Sequence, residues 1–166
     1  TVREQGLVNV NGGVFDGTTL QLKNPSSSVT GLSLTDGTLS SSGSVQDVTF
    51  ASSNLGFYGN ANVSLSGSTF DESNVSFAEG VGADIGQNAF VSSTLHIQGT
   101  ATADVYNNNF HSSTLRVREQ AEVLADTNDF AGTIPHTLAF IDIETDAGVT
   151  LASNTLTVNG NAGTEP

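Results

Sequence analysis

Asp84 and Asp104 stand twenty residues apart in matching contexts, Ala83-Asp84-Ile85 and Ala103-Asp104-Val105, and Glu122 follows eighteen residues after Asp104. If the backbone repeats with that period, the two aspartates share one outward position on adjacent turns, about 5 Å apart, with Glu122 on the same face. Such a row could hold Ca²⁺ through oxygen ligands, or divide general-acid and general-base roles between its members. Solvated carboxylates on an acidic surface are the preferred reading, because the sequence specifies no further ligands. His96 and Arg116 stand in the same twenty-residue relation, whereas His111 and His136 are scattered and form no metal-ligand pattern. Tyr58 and Tyr106, on different faces, carry rings that could stack on sugars.

A phenylalanine period sets the elements that must position these residues. Phe50, Phe70, Phe90, Phe110 and Phe130 recur every twenty residues, the mark of a solenoid whose coils bury apolar side chains only against one another. Five and seven residues after each of the first four come apolar pairs, from Leu55 and Phe57 to Leu115 and Val117. Small or branched apolar residues follow at eleven, thirteen and fifteen, from Ala61, Val63 and Leu65 to Ala121, Val123 and Ala125. This alternation is strand periodicity, and with a short strand at each Phe it predicts three strands and three bends per coil. Stacked coils then give an all-β right-handed parallel β-helix of three parallel sheets and about eight coils, since crossovers between parallel strands are overwhelmingly right-handed. Asn88, Asn108 and Asn128 each precede a Phe by two residues, with Ser68 in the first such place. Asn tolerates the left-handed backbone conformation, so the column predicts a tight bend and a stacked amide ladder.

The pattern extends outward with changes of coil length, through Val10 to Phe15, Val29 to Leu34, Val45 to Phe50 and Leu151 to Leu156. Matching residues 2–6 to residues 117–121 places Val8 and Val10 on the long strand of an earlier coil. One β-helix domain is expected over residues 1–158, with the Gly- and Asn-rich residues 159–166 as tail or linker. No capping helix is readable, so the open coil edge is expected to be covered by lost upstream sequence, by flanking coils of a longer chain, or by a second copy stacked end to end. The coil after Phe130 departs most. With Ile141, Ile143, Ala147, Val149 and Leu151 in core positions, residues 134–139 form a six-residue insertion, and Leu138 and Phe140 lack a normal place in the rung. They would serve as local packing or as an apolar contact patch for another chain.

Composition bounds the partners. The chain has 166 residues, with 17 acidic residues against four basic ones (Arg3, Lys23, Arg116, Arg118), for a net charge of −13. That charge repels phosphate backbones and anionic lipid, so neither nucleic acid nor a membrane surface is an expected partner. Cysteine is absent, which excludes disulfides and thiol chemistry. No apolar run approaches the roughly 20 residues of a membrane span.

The motif Phe-x-x-Ser-(Asn/Thr)-Leu-x-Ile, as in residues 90–97, together with Ala-x-Val-x-Leu and a bend Asn, resembles the right-handed β-helices of bacterial surface proteins. Autotransporter passengers and filamentous-haemagglutinin-type adhesins are the nearest type, and pectate-lyase-like enzymes and phage tailspikes share the architecture. The resemblance covers residues 2 to 158 and implies an extracellular or cell-surface, non-catalytic stalk, filament or adhesin segment that needs no cofactor, with glycans or other surface proteins as partners. The alternative is a polysaccharide lyase or hydrolase, or a tailspike-like glycan binder, working through Asp84, Asp104 and Glu122 with Ca²⁺ at the two aspartates. The grouped Asp, His and Arg or Lys of the fold's enzymes have no counterpart here, because Arg116 and Arg118 fall on a different sheet from Asp84 and Asp104. A regular Thr array for ice binding is likewise missing from the long-strand face.

Overall fold

A computed structural model describes residues 2–4, 6–133, 140–144 and 146–159, and all regular structure among them is β. Three sheets of eight strands each wind as a parallel β-solenoid, every sheet taking every third strand in chain order. The first sheet contains Asn54–Phe57, Asn74–Phe77, Thr94–Ile97, Thr114–Val117 and Phe140–Ile143. The second holds the long strands Asn62–Ser66, Gly82–Gly86, Thr102–Tyr106, Glu122–Asp126 and Gly148–Ala152. The third holds the short phenylalanine strands, from Thr49–Ala51 to Asn109–His111, and then Asp129–Thr133 and Thr155–Asn159. The six inner layers have a neighbour on both sides. Strand Thr155–Asn159 runs one residue into the stretch expected as tail, and residues 160–166 lie outside the described residues.

Inward columns form one continuous core. Phe50, Phe70, Phe90, Phe110 and Phe130 are buried and stack with centroids 5.3, 5.0, 4.7 and 4.6 Å apart. A second pair, Phe57 and Phe77, stacks at 4.6 Å. The rung spacing of a parallel sheet, about 4.8 Å, leaves near-parallel stacking as the packing open to identical rings on successive rungs.

Register shows where coil length is allowed to vary. From the second sheet to the third, the inward residue always advances by five, as from Leu65 to Phe70 or Leu151 to Leu156. From the third to the first it again advances by five, as from Phe110 to Leu115, except that Phe130 to Ile141 takes eleven. The remaining variation sits between the first and second sheets, where Leu39 to Val45 takes six residues and Leu55 to Leu65 takes ten. One register differs from the sequence reading: Val2 pairs with Leu20, in the column of Leu115 rather than Val117, while Val10 still falls in the long-strand column against Val29. The first coil is therefore two residues shorter at that variable corner than a match to residues 117–121 implies.

Both five-residue corners use one device. The residue two past the inward one has positive φ, between 47 and 74° (Gly67, Gln87, Asn107 and Thr127 at one corner; Ser52, Glu72, Ser92 and Ser112 at the other). From Ser53 and Ser68 to Asn128 the next residue is buried and polar, and it ladders between coils, whereas the earlier coils have Thr18, Leu32, Gly37 and Val48 in that place. Backbone N–H groups of Ser53, Ser73 and Ser93 donate to the hydroxyl of the following ladder serine at 3.1, 3.0 and 2.9 Å. At the other corner the Asn88 and Asn108 amides do the same through side-chain oxygens at 3.0 Å. The asparagines thus form the expected ladder without being the left-handed residues. Gln87, Asn107 and Thr127, one place earlier, carry that conformation.

Candidate functional site

The outward face of the second sheet is built from alternate residues of its strands, whose partners point into the core. Gly82 is in register with Thr102 and Glu122, Asp84 with Asp104 and Leu124, and Gly86 with Tyr106 and Asp126. Asp84 and Asp104 are thus brought side by side, both exposed, with Glu122 in the adjoining column, as their spacing implies. Two glycines flank Asp84 along its strand and shape the surface around it. At Gly82 a Cβ would run into Asn62 Oδ1 and lie 3.7 Å from Thr102 Oγ1. Around Gly82 lies an open depression of about 470 Å³, lined by Asn62, Ser64, Asp84, Thr102 and Asp104 among others.

At Gly86 the Tyr106 ring passes over the backbone, so that a Cβ there would sit 2.5 Å from Cζ and 2.9 Å from the hydroxyl oxygen. Tyr106 remains 37 % exposed, and diagonally beside it Leu124 is 44 % exposed. A second depression, of about 520 Å³, runs from Asp104 past Glu122 and Leu124 to Gly148 and Thr150. Arg3, Lys23, Arg116 and Arg118 all lie in or immediately after strands of the first sheet, so the acids of the second sheet have no cation among them.

Basic residues gather instead on the first sheet. His96 is in register with Arg116, and Arg116 with Asp142. Arg116 Nε and Arg118 Nη2 converge on Asp142 Oδ2 at 3.0 and 2.6 Å. His96 Nε2 is buried and, among the described residues, has no hydrogen-bond partner. Burial, followed by the Arg116 and Arg118 charges, lowers the His96 pKa from its ordinary 6.5, with Glu119 and Asp142 opposing. The imidazole is therefore neutral at physiological pH and sits as a polar filler beside an ion-paired cluster. Tyr58 lies on this sheet, its ring folded over Gly56 and its hydroxyl 2.6 Å from where a Cβ would be. The two tyrosines do occupy different faces.

Asp142 was not legible as a partner of the arginines until the six-residue insertion is removed from the count, which places the alternation Ile141-Asp142-Ile143 in register with Leu115-Arg116-Val117. The same register corrects the reading of Phe140, whose backbone takes an ordinary rung position opposite Thr114. Leu138 and His136 lie outside the described residues. Among the described residues no group of three or more His, Cys, Asp or Glu side chains is placed to hold a metal ion.

No protein-family model matches the chain, and no curated protein or solved structure is matched by it either.

Proposed function

We propose that this chain is a non-catalytic structural or adhesive β-solenoid segment of an extracellular or cell-surface protein, a stalk or filament unit of the kind used by autotransporter passengers and haemagglutinin-type adhesins. The observation that carries this reading is the regularity of the coil. Two of its three corners keep a five-residue step with one left-handed residue, the eleven-residue step after Phe130 being the exception, and through the central coils the Phe, Ser and Asn columns run on from coil to coil. A rod of this construction spreads load over many short strands, and its outward face is free to display side chains. Flanking coils, or a second copy stacked end to end, are the partners such a unit would take, because a parallel strand edge templates another strand.

A carbohydrate-active enzyme is the other reading, and the register of Asp84 with Asp104 favours it. In-register strands set the two backbones about 4.8 Å apart, a spacing that lets the side chains reach the roughly 5 to 5.5 Å between the carboxylates of retaining glycosidases. Both side chains are exposed, however, on an open sheet face rather than in an enclosed, water-excluding cleft. Incubation with neutral and acidic polysaccharides, followed by assay for new reducing ends and unsaturated products, separates the two readings. Intact polymer is expected, and release of oligosaccharides that stops in Asp84→Asn or Asp104→Asn would replace the structural reading with the enzymatic one.

A further inference from the structure

We infer that the outward face of the second sheet, centred on Tyr106, binds a neutral glycan chain. Three observations on that face carry it. Tyr106 lies across Gly86, so one side of its ring rests on backbone while the residue stays 37 % exposed, leaving ring surface open to a ligand. Leu124, on the strand at the other side of Tyr106 from Gly86, adds a separate exposed apolar side chain that lines the second depression. The Gly82 depression presents Asn62, Ser64, Thr102 and the Asp84 and Asp104 carboxylates.

The chemistry of that combination selects the ligand. A pyranose ring has a C–H face that packs on an aromatic ring and a hydroxyl rim rich in donors, and it is the rim that carboxylates, amide oxygens and hydroxyls would receive. Asp84, Asp104, Glu122 and Asp126 without a cation on the same sheet repel uronic-acid and sulfated chains, which leaves uncharged sugars. A basic peptide fits less well, because Asn62, Ser64 and Thr102 share the depression with the carboxylates and offer no charge to pair with. The two depressions follow one another across successive strands and share Thr102 and Asp104, so the site is a track along the rod suited to a chain of sugars.

This inference deepens the adhesive reading and rests on it, yet the two fail separately. Fragments released from a polysaccharide would remove the non-catalytic reading, whereas failure to bind removes only this one. The test is affinity electrophoresis of the full chain through gels containing laminarin, mannan, xyloglucan or amylose, with polygalacturonate and polylysine as charged comparators. Retardation by at least one neutral polymer is expected, persisting in 0.5 M salt. Tyr106→Phe should keep it, Tyr106→Ala should weaken it by about tenfold, Asp104→Asn and Leu124→Ser should each weaken it severalfold, and Tyr58→Ala on the first sheet should leave it unchanged. Circular dichroism of each variant checks that the coil is intact, and Asp104→Asn and Leu124→Ser carry the test if Tyr106→Ala does not fold. Retardation by none of the neutral polymers, by polylysine alone, or equally in wild type and the Tyr106→Ala, Asp104→Asn and Leu124→Ser variants would overturn the assignment.

Discussion

Two donors of Asn88 share a single acceptor on Asn108: Asn108 Oδ1 takes both the backbone N–H and the Nδ2 of Asn88, each at 3.0 Å. Asn108 in turn donates from Nδ2 to the Ile85 carbonyl at 2.9 Å and to Asn128 Oδ1 at 3.0 Å. One side chain thus joins the coils on either side of it, and every atom it satisfies is buried. Asn108→Ala leaves the Asn88 amide, the Ile85 carbonyl and two side-chain amides short of partners, which should cost about 3 kcal/mol or more. The neighbouring column behaves oppositely. Thr127 is a β-branched residue at φ 54°, a conformation that disfavours it by about 1 to 2 kcal/mol, so Thr127→Gly should be neutral or stabilising by up to about 1 kcal/mol. Urea denaturation of the two variants measures both signs, and similar losses in both would refute this division of labour.

Phe90 sits in the middle of the stack, 5.0 Å from Phe70 and 4.7 Å from Phe110. Leu occupies the same column at Leu34 and Leu156, so the site accepts an aliphatic shape. Phe90→Leu is therefore expected to cost about 1.5 kcal/mol or less. Phe90→Ala opens a cavity between two rings held apart by the backbone and should cost about 3 to 5 kcal/mol. Equal denaturation midpoints for the two variants would mean that the column collapses more freely than laddered strands should permit.

His96 predicts how acid acts on the coil. Because its folded pKa lies below the ordinary 6.5, the unfolded chain binds a proton more readily, and stability rises with pH across the interval between those two values. The penalty is absent above pH 6.5, grows as pH falls below it, and levels off once the folded imidazole is itself protonated. His96→Gln should flatten this part of the stability profile measured by urea titration from pH 7.5 down to pH 5. Asp142 opposes the shift, so Asp142→Asn should move the His96 titration further down, readable from its ring proton resonances. Loss of the two ion pairs should itself cost only about 1 kcal/mol, because all three side chains keep contact with water.

How far the sequence reaches depends on what sets each feature. Spacing alone placed Asp84 beside Asp104 and His96 beside Arg116, because a parallel ladder turns a twenty-residue separation into adjacency. The ladder asparagines were legible for the same reason. Assigning their backbone conformation was not, because Gln87, Thr127 and Glu72 are poor left-handed residues chosen for no visible local preference, and the coil geometry imposes φ on them. Tyr106 lying over Gly86 needed the structure, since the sequence says nothing of how a ring at a strand end will lean. The small residue beneath it was the available signal: Gly56 lies two residues before Tyr58 and Gly86 one coil before Tyr106.

The insertion after Phe130 can be tested by removing it. Elsewhere the step from the third sheet to the first is five residues, as in Phe110-His111-Ser112-Ser113-Thr114-Leu115, with Ser112 left-handed and Ser113 accepting from the preceding coil. Deleting residues 134–139 joins Phe130-Ala131-Gly132-Thr133 to Phe140-Ile141. Gly132 then falls in the left-handed place, which glycine fills without strain, and Thr133 falls in the ladder place with a hydroxyl to offer. In the intact chain these residues instead extend the strand, Gly132 pairing with Val158 and Thr133 with Asn159. The shortened chain is expected to unfold cooperatively, with stability within about 1 kcal/mol of the parent, since the lost pairing is offset by a shorter closed loop. Thermal and urea denaturation provide the measurement. A loss of several kcal/mol would mean that residues 134–139 pack on the solenoid and support its last coils, whereas an unchanged stability frees them to act as a contact segment for another chain.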